Sequence, residues 1–517
     1  MMRRLACLLP LLVLTAYAAA QVPASPTFSL TAIAFAGNTV FSDATLQAQV
    51  ADKLGQRVTF ADLTALAARV TALYHDAGYI LTDTVVPGQE IEGGKVTLSV
   101  LEGRLGRVRV ERVTDVPVPE PLVVAILAQL QPGQPMTQQQ LERALLMLSD
   151  TPGMATQAAL EAGDAPGAFD LVVDLKAAPR TSFSLDLDNQ GSPSTGKNRV
   201  GLLGRINSPF GRGDNLDLRL LSSFGKGLAF GRIAYELPLG RSGLRGIVAA
   251  GHIQYQLGQD FAALDAHGSA DVLELGLSYP LIRSRRENLF GKATVEHKLL
   301  DDRLDAFDQV SRKRLDSLDL GLVYERRDDW QDGGYVSAGL DVIKGHLALR
   351  SEPDRLLDQG PGRGTAGGFV RATFQLARLQ ALGHGLSGYV ALAGQWANSN
   401  LDSADKIAGG GPRAVRAYSS ASGIGDEAAI VNAELRWAAS ASTTVSAFYD
   451  LGRVRLSHAP APGVDNHLTL SGVGVGLYQG IAASMALRAS AAWPTRHSGP
   501  AIDASGARLY AQIVKTF

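Results

Sequence analysis

Residues 431–437 read VNAELRW and residues 445–451 read VSAFYDL. In an extended chain successive side chains point to opposite faces. Val431, Ala433, Leu435 and Trp437 therefore share one face, and Asn432, Glu434 and Arg436 the other. Likewise Val445, Ala447, Tyr449 and Leu451 oppose Ser446, Phe448 and Asp450. The same period of two recurs in NLDLRL at Asn215–Leu220, LDLGLVY at Leu318–Tyr324 and VSAGLDV at Val336–Val342. From about Thr181 onward the chain yields roughly 16 such segments of about 9–12 residues, separated by Gly, Asp, Asn, Ser and Pro.

A soluble sandwich would show this alternation too, burying one face and wetting the other. A sandwich of that many long strands would divide into domains, and no linker interrupts the run. Segment length, the even count, short turns alternating with longer loops and the terminal Phe517 fit an antiparallel transmembrane β-barrel over residues 181–517. The 56 glycines among 517 residues suit the many turns and close backbone approaches of such a fold.

Upstream, residues 28–177 carry the helical period instead. Phe28–Phe35 reads as a strand and Asp43–Leu54 as a helix. Thr59 and Asp62 have capping-box spacing, and Leu63, Leu66, Ala67, Val70, Leu73, Tyr74 and Ala77 line one face of a second helix. Gly78 closes it, and strands follow at Tyr79–Val86 and Lys95–Leu101. The order strand, helix, helix, strand, strand then repeats: Leu105–Val113, Pro119–Leu130, a helix capped by Thr137, Met154–Leu160 and Phe169–Leu175. Two small α/β units are expected, 28–104 and 105–178.

The first residues read as a secretory signal: Arg3 and Arg4, an apolar run Leu5–Tyr17, and Ala18–Ala20 for cleavage. Residues 1–20 would be removed, leaving 21–27 as a short N-terminal segment. The one cysteine, Cys7, goes with the signal, so no disulfide is expected in the mature chain. No later stretch approaches the roughly 18 apolar residues of a spanning helix. The net charge of -1 gives no reason to expect a nucleic-acid partner. There is no HExxH, GxSxG, Walker loop or Cys/His cluster, and the nine histidines are scattered. No catalytic residue, metal or cofactor is expected.

Several stretches together resemble a known family. Gly78-Tyr79, Val86-Pro87-Gly88-Gln89 and Gly93–Gly103 (GGKVTLSVLEG) look like the first POTRA domain of the two-partner secretion transporters (TpsB, the ShlB/FhaC/HecB haemolysin secretion/activation family). Gly133-Gln134-Pro135, Leu141–Leu146 and Pro152-Gly153 look like the second. Gly409–Tyr418 (GGGPRAVRAY) resembles the family's VRGY loop motif, at Val415, Arg416, Ala417 and Tyr418, and Phe448–Gly452 matches its FxDxG strand motif, at Phe448, Asp450 and Gly452. The resemblance implies two periplasmic POTRA domains and a 16-stranded outer-membrane barrel, with a loop of about 399–426 folded into the lumen between the eleventh and twelfth strands. It also implies a pair between Arg416 and Asp450. On the alternation above, Phe448, Asp450 and Gly452 point inward, Glu434 is a possible second lumen partner, and Arg413 is a solvated loop charge. Two departures stand out. Ala417 occupies a position usually held by glycine, where a positive φ would strain it. Lys515 occupies a position near the end that is commonly aromatic or apolar.

The expected function is secretion of an unfolded TpsA-type exoprotein, received in the periplasm by the POTRA domains and passed through the barrel, with activation of a haemolysin-like client left open. Other expected partners are outer-membrane lipid and lipopolysaccharide, and periplasmic chaperones and barrel assembly machinery for the chain's own insertion. The alternative is an assembly insertase of the BamA type, which commonly carries more POTRA domains.

Overall fold

The computed structural model describes residues 26–165, 167–225, 227–499 and 506–517. The expected signal peptide and most of the segment 21–27 lie outside the described residues.

In the first α/β unit, Lys95–Leu101 is the central strand, parallel to Ala32–Ala36 and antiparallel to Asp83–Val85. A two-residue ladder, Phe28–Ser29 with Arg57–Val58, stands apart from it. The single strand expected at Phe28–Phe35 is broken because Leu30 and Thr31 donate to Gln56 and Gly94 instead. The helices are Asp43–Val50 and Phe60–Asp76. The first is shorter than expected, its end tightening into a 3-10 turn at Ala51–Lys53. The Thr59–Asp62 capping box forms, and Leu63, Leu66, Ala67, Val70 and Tyr74 are buried against Val96, Leu98 and Val100. The strand expected at Tyr79–Val86 contracts to Asp83–Val85, because Tyr79 N–H bonds to Tyr74 and Thr82 N–H to Tyr79, prolonging the turn begun at Gly78.

Glu102, 3% exposed, holds this unit together. It accepts from the Thr39 hydroxyl, the Thr39 and Val40 amides at 2.5 and 2.8 Å and the Tyr74 hydroxyl at 2.9 Å, and it pairs with Arg104 at 2.8 Å. Burial pushes its carboxyl up, but the hydrogen bonds from Thr39, Val40 and Tyr74 outweigh it and hold the group below the ordinary carboxylate value. Its stabilisation is therefore full above the unfolded carboxylate value of about 4.3 and is lost as pH falls through the lower folded value. Glu102→Gln is expected to destabilise this unit by about 3 kcal/mol, the typical cost of breaking a buried pair. Faster hydrogen exchange across residues 28–103 of the full chain would register it, and unchanged exchange would refute it.

The second unit places Ala168–Ala177 between Arg104–Arg112 and Met154–Ala162. Its helices are Glu120–Leu127 and Gln138–Ser149, with Val123, Ile126, Leu127, Ala144, Met147 and Leu148 buried. Pro119 stands at the N-cap rather than inside the first of them, which ends three residues earlier than the expected Leu130. This unit is tied to the barrel: Arg283 forks onto Asp150 with two 2.7 Å bonds, and Arg143 reaches the Pro280 carbonyl at 2.9 Å.

Sixteen strands then form a closed antiparallel barrel, each paired with its neighbour in sequence and the last, Arg508–Thr516, with the first, Thr181–Asp188. Strand lengths run from 8 residues in Thr181–Asp188 to 20 in Gln309–Asp328, against the expected 9–12. The physical reason lies on the outward face. Leu318, Leu320 and Leu322 face outward, but Arg312, Arg314 and Asp316 continue that face beyond the apolar band. Hydrophobic alternation marks only the part of a strand that meets hydrocarbon. Among the described residues no helix is long and apolar enough to cross a membrane.

Candidate functional site

The eleventh and twelfth strands, Leu386–Ala397 and Glu427–Ala438, are joined by residues 398–426. This connection doubles back on itself. Ile407–Ala408 pairs with Ile424–Gly425 as a short stalk, continued by Gly409 N–H to Gly423 and Gly410 N–H to Ser422. Beyond it a tight turn returns Val415 N–H to Gly409 at 3.0 Å and Tyr418 N–H to Val415 at 3.1 Å. The tip thus presents Val415–Tyr418 to the inner wall.

The wall is set by register. Glu434 is opposite Phe448, Asn432 opposite Asp450 and Ile430 opposite Gly452, so these six share the inner face. Tyr449 and Val431 face outward, Tyr449 with 46% exposure, while Asp450 is fully buried.

Arg416 meets this wall at four points. Its Nε and Nη2 donate to the two oxygens of Asp450 at 2.9 and 2.7 Å, its backbone N–H adds a bond to Asp450 at 3.0 Å, and Nη1 donates to Glu434 at 2.6 Å. The guanidinium carbon lies 3.4 Å from the centre of the Phe448 ring. Glu434 also pairs with Arg436 at 2.7 Å, so two cations face two carboxylates. A forked guanidinium suits such a site because each carboxylate oxygen finds a donor in a fixed plane. Arg413 is exposed to the lumen beside this cluster.

Gly452 leaves room for the tip, since a Cβ there would lie 2.8 Å from a Val415 methyl. Ala417 has a negative φ, so the strain that would follow from a left-handed backbone does not arise. Its methyl instead fits against Gly472, where a Cβ would lie 2.5 Å away. Tyr418 is fully buried, donating to the Arg496 carbonyl at 3.1 Å, while its own carbonyl accepts from Tyr510 at 2.9 Å.

Sequence reasoning missed Asn432, Gly472 and Tyr510. Asn432 donates to Asp450 at 2.7 Å and to the Ala414 carbonyl at 2.9 Å, bridging wall and loop. Its position on the charged face of VNAELRW was the available signal. Gly472 and Tyr510 reach the loop from far along the chain and left none.

The family model of haemolysin secretion/activation protein ShlB/FhaC/HecB matches residues 167–479, and that of the ShlB-type POTRA domain matches residues 28–103. The chain is 28% identical over 476 residues to the heme/hemopexin transporter protein HuxB of Haemophilus influenzae (strain 86-028NP), covering 90% of this chain and 82% of HuxB. It is 23% identical over 423 residues to the outer membrane transporter CdiB of Escherichia coli O6:K15:H31 (strain 536 / UPEC), covering 80% and 69%. The solved structure of CdiB from Escherichia coli is similar at a TM-score of 0.75 and 20% identity, over 98% of this chain and 93% of CdiB. BamA from Haemophilus ducreyi lacking POTRA domains 1–3 gives 0.56 at 14% identity, over 95% and 100%. At these identities the two structures speak to the fold alone.

Proposed function

Because the chain belongs to the ShlB/FhaC/HecB haemolysin secretion/activation family, whose members are outer-membrane two-partner secretion transporters working with a TpsA-type exoprotein, we propose that it captures its partner unfolded and threads it outward past the in-folded loop. The observation that carries the reading is the tip cluster. A loop inside a barrel, fixed to the wall by a forked ion pair, is a movable obstruction on a polar path.

Capture would use the first α/β unit. Asp83–Val85 is a short edge strand, and an extended peptide can add to such an edge through main-chain hydrogen bonds. Ile80, 44% exposed, and Phe60, 62% exposed, offer apolar contacts on this unit, whereas the buried leucines of the helix Phe60–Asp76 serve its own core. The Arg416–Asp450 pair, with Glu434, would set the transport-competent position of the loop. The division into a signal peptide at 1–20, POTRA domains at 28–104 and 105–178 and a barrel at 181–517 belongs to this proposal, as does insertion by periplasmic chaperones and assembly machinery into a membrane of lipid and lipopolysaccharide.

Deleting the gene tests this reading against an insertase. A transporter's loss removes one large exoprotein from the medium and leaves other outer-membrane proteins at their normal levels. A general fall in outer-membrane proteins would overturn the proposal.

A further inference from the structure

Charged groups of loop and wall meet in two places, with opposite polarity, beside bonds to main-chain carbonyls such as that from Gln395 to Asp405 at 2.9 Å. At the tip, a loop cation meets wall carboxylates. On the limb nearest the eleventh strand, loop carboxylates meet wall cations. Asp402 accepts from Lys313 at 2.8 Å, and Asp405 lies 3.3 Å from Arg371 and 3.8 Å from Lys298. Lys298, Lys313 and Arg371 project inward from Glu287–Leu304, Gln309–Asp328 and Gly367–Ala381, the seventh, eighth and tenth strands. The tip's charged partners, Glu434 and Asp450, come from the twelfth and thirteenth.

The two fastenings differ in quality. Both oxygens of Asp450 are satisfied, by the Arg416 backbone and fork and by Asn432. Asp405, 5% exposed, leaves Oδ2 without a hydrogen bond, and Arg371, which reaches Asp405 through Nη2, leaves Nε unpaired. The wall cations have other partners to fall back on. Lys298 pairs with Glu296 at 2.9 Å, Lys313 with Asp302 at 3.2 Å, and Arg371 reaches Gln395 at 3.4 Å. A half-satisfied buried network is poor at holding what it binds, and cations with alternative partners let go without being stranded.

We propose that Asp402 and Asp405, with Lys298, Lys313 and Arg371, form a second latch on the in-folded loop that releases before the tip, so the limb opens while Arg416 still holds. This rests on the transport reading, in which the loop obstructs the path. Its residues are positioning residues and need not touch the client.

The test is hydrogen exchange on the full-length protein in detergent without client, so it is read independently of secretion. In the wild type, amides over 398–408 should exchange at least tenfold faster than those over 413–419. Asp402→Asn/Asp405→Asn should speed the first segment by a further tenfold and leave the second protected. Arg416→Ala should loosen the second. Equal exchange of both segments in the wild type, or loosening of both together in the Asn variant, would show one cooperative clamp and overturn the proposal. Unchanged exchange in the Asn variant would overturn it as well. If that variant fails to assemble, the wild-type comparison alone decides.

Discussion

Arg416→Ala is expected to reduce secretion of the partner exoprotein at least tenfold while leaving an assembled barrel. Truncation removes three side-chain bonds and strands the Asp450 carboxylate. Asp450 is fully buried and loses the cation that neutralises it, while Glu434 keeps Arg436 at 2.7 Å. Removing one partner from a buried ion pair costs about 3–5 kcal/mol, far more than an exposed pair. That energy holds the loop, not the barrel. The sixteen-strand ladder closes through main-chain hydrogen bonds that Arg416 does not enter. The loss should therefore appear in export, with heat-modifiable migration of the barrel retained. Arg416→Lys should lie between wild type and Ala, because an ammonium on a single stem cannot fork onto Asp450 and reach Glu434 together. In Arg416→Ala, adding Asp450→Asn should cost little more, since the two groups act as one unit. Normal amounts of exoprotein in the medium of an assembled Arg416→Ala strain would defeat the account.

The inner wall was legible because strand faces depend on local alternation. Knowing that Tyr449 is outward makes Phe448 and Asp450 inward wherever the strand lies. The loop partner was legible only through the likeness of GGGPRAVRAY to a known motif, since nothing local connects Arg416 to a residue 34 positions away. Strand ends were not legible. The outward face turns polar at Asp316 while the ladder continues to Gln309, so the hydrophobic signal stops before the strand does. The contraction of Tyr79–Val86 has a different cause, a turn held by main-chain bonds that leave no mark on side-chain pattern. The limb latch was hidden most deeply, because it joins three strands and a loop through charges that look like ordinary lumen residues.

Gly472→Ala is expected to impair secretion severely through a single methyl, without touching any charged group. The added Cβ would stand 2.5 Å from the Ala417 Cβ and 3.0 Å from the Trp493 carbonyl oxygen. Two carbons attract at about 3.5–4.0 Å, so one side must yield by about an ångström. The wall strand is laddered on both edges, with one register shift at Ser471/Gly472, whereas the tip is held by turn and side-chain bonds and is the softer side. The loop tip therefore moves, and Ala417 is the residue after Arg416. A fork that spans both oxygens of Asp450 at 2.7 and 2.9 Å does not survive a shift of that size. Overpacking of this kind costs about 1–3 kcal/mol, enough for a loss of about five- to a hundredfold in the seated loop population. The chain's departure from the glycine usual at position 417 supplies the control. Ala417→Gly removes the opposing methyl, so it should be nearly silent alone and should restore much of the secretion lost in Gly472→Ala, the Trp493 carbonyl limiting full recovery. If Gly472→Ala secreted normally, or if the double variant were as impaired as the single, the tip would not be held where the wall's small residues admit it.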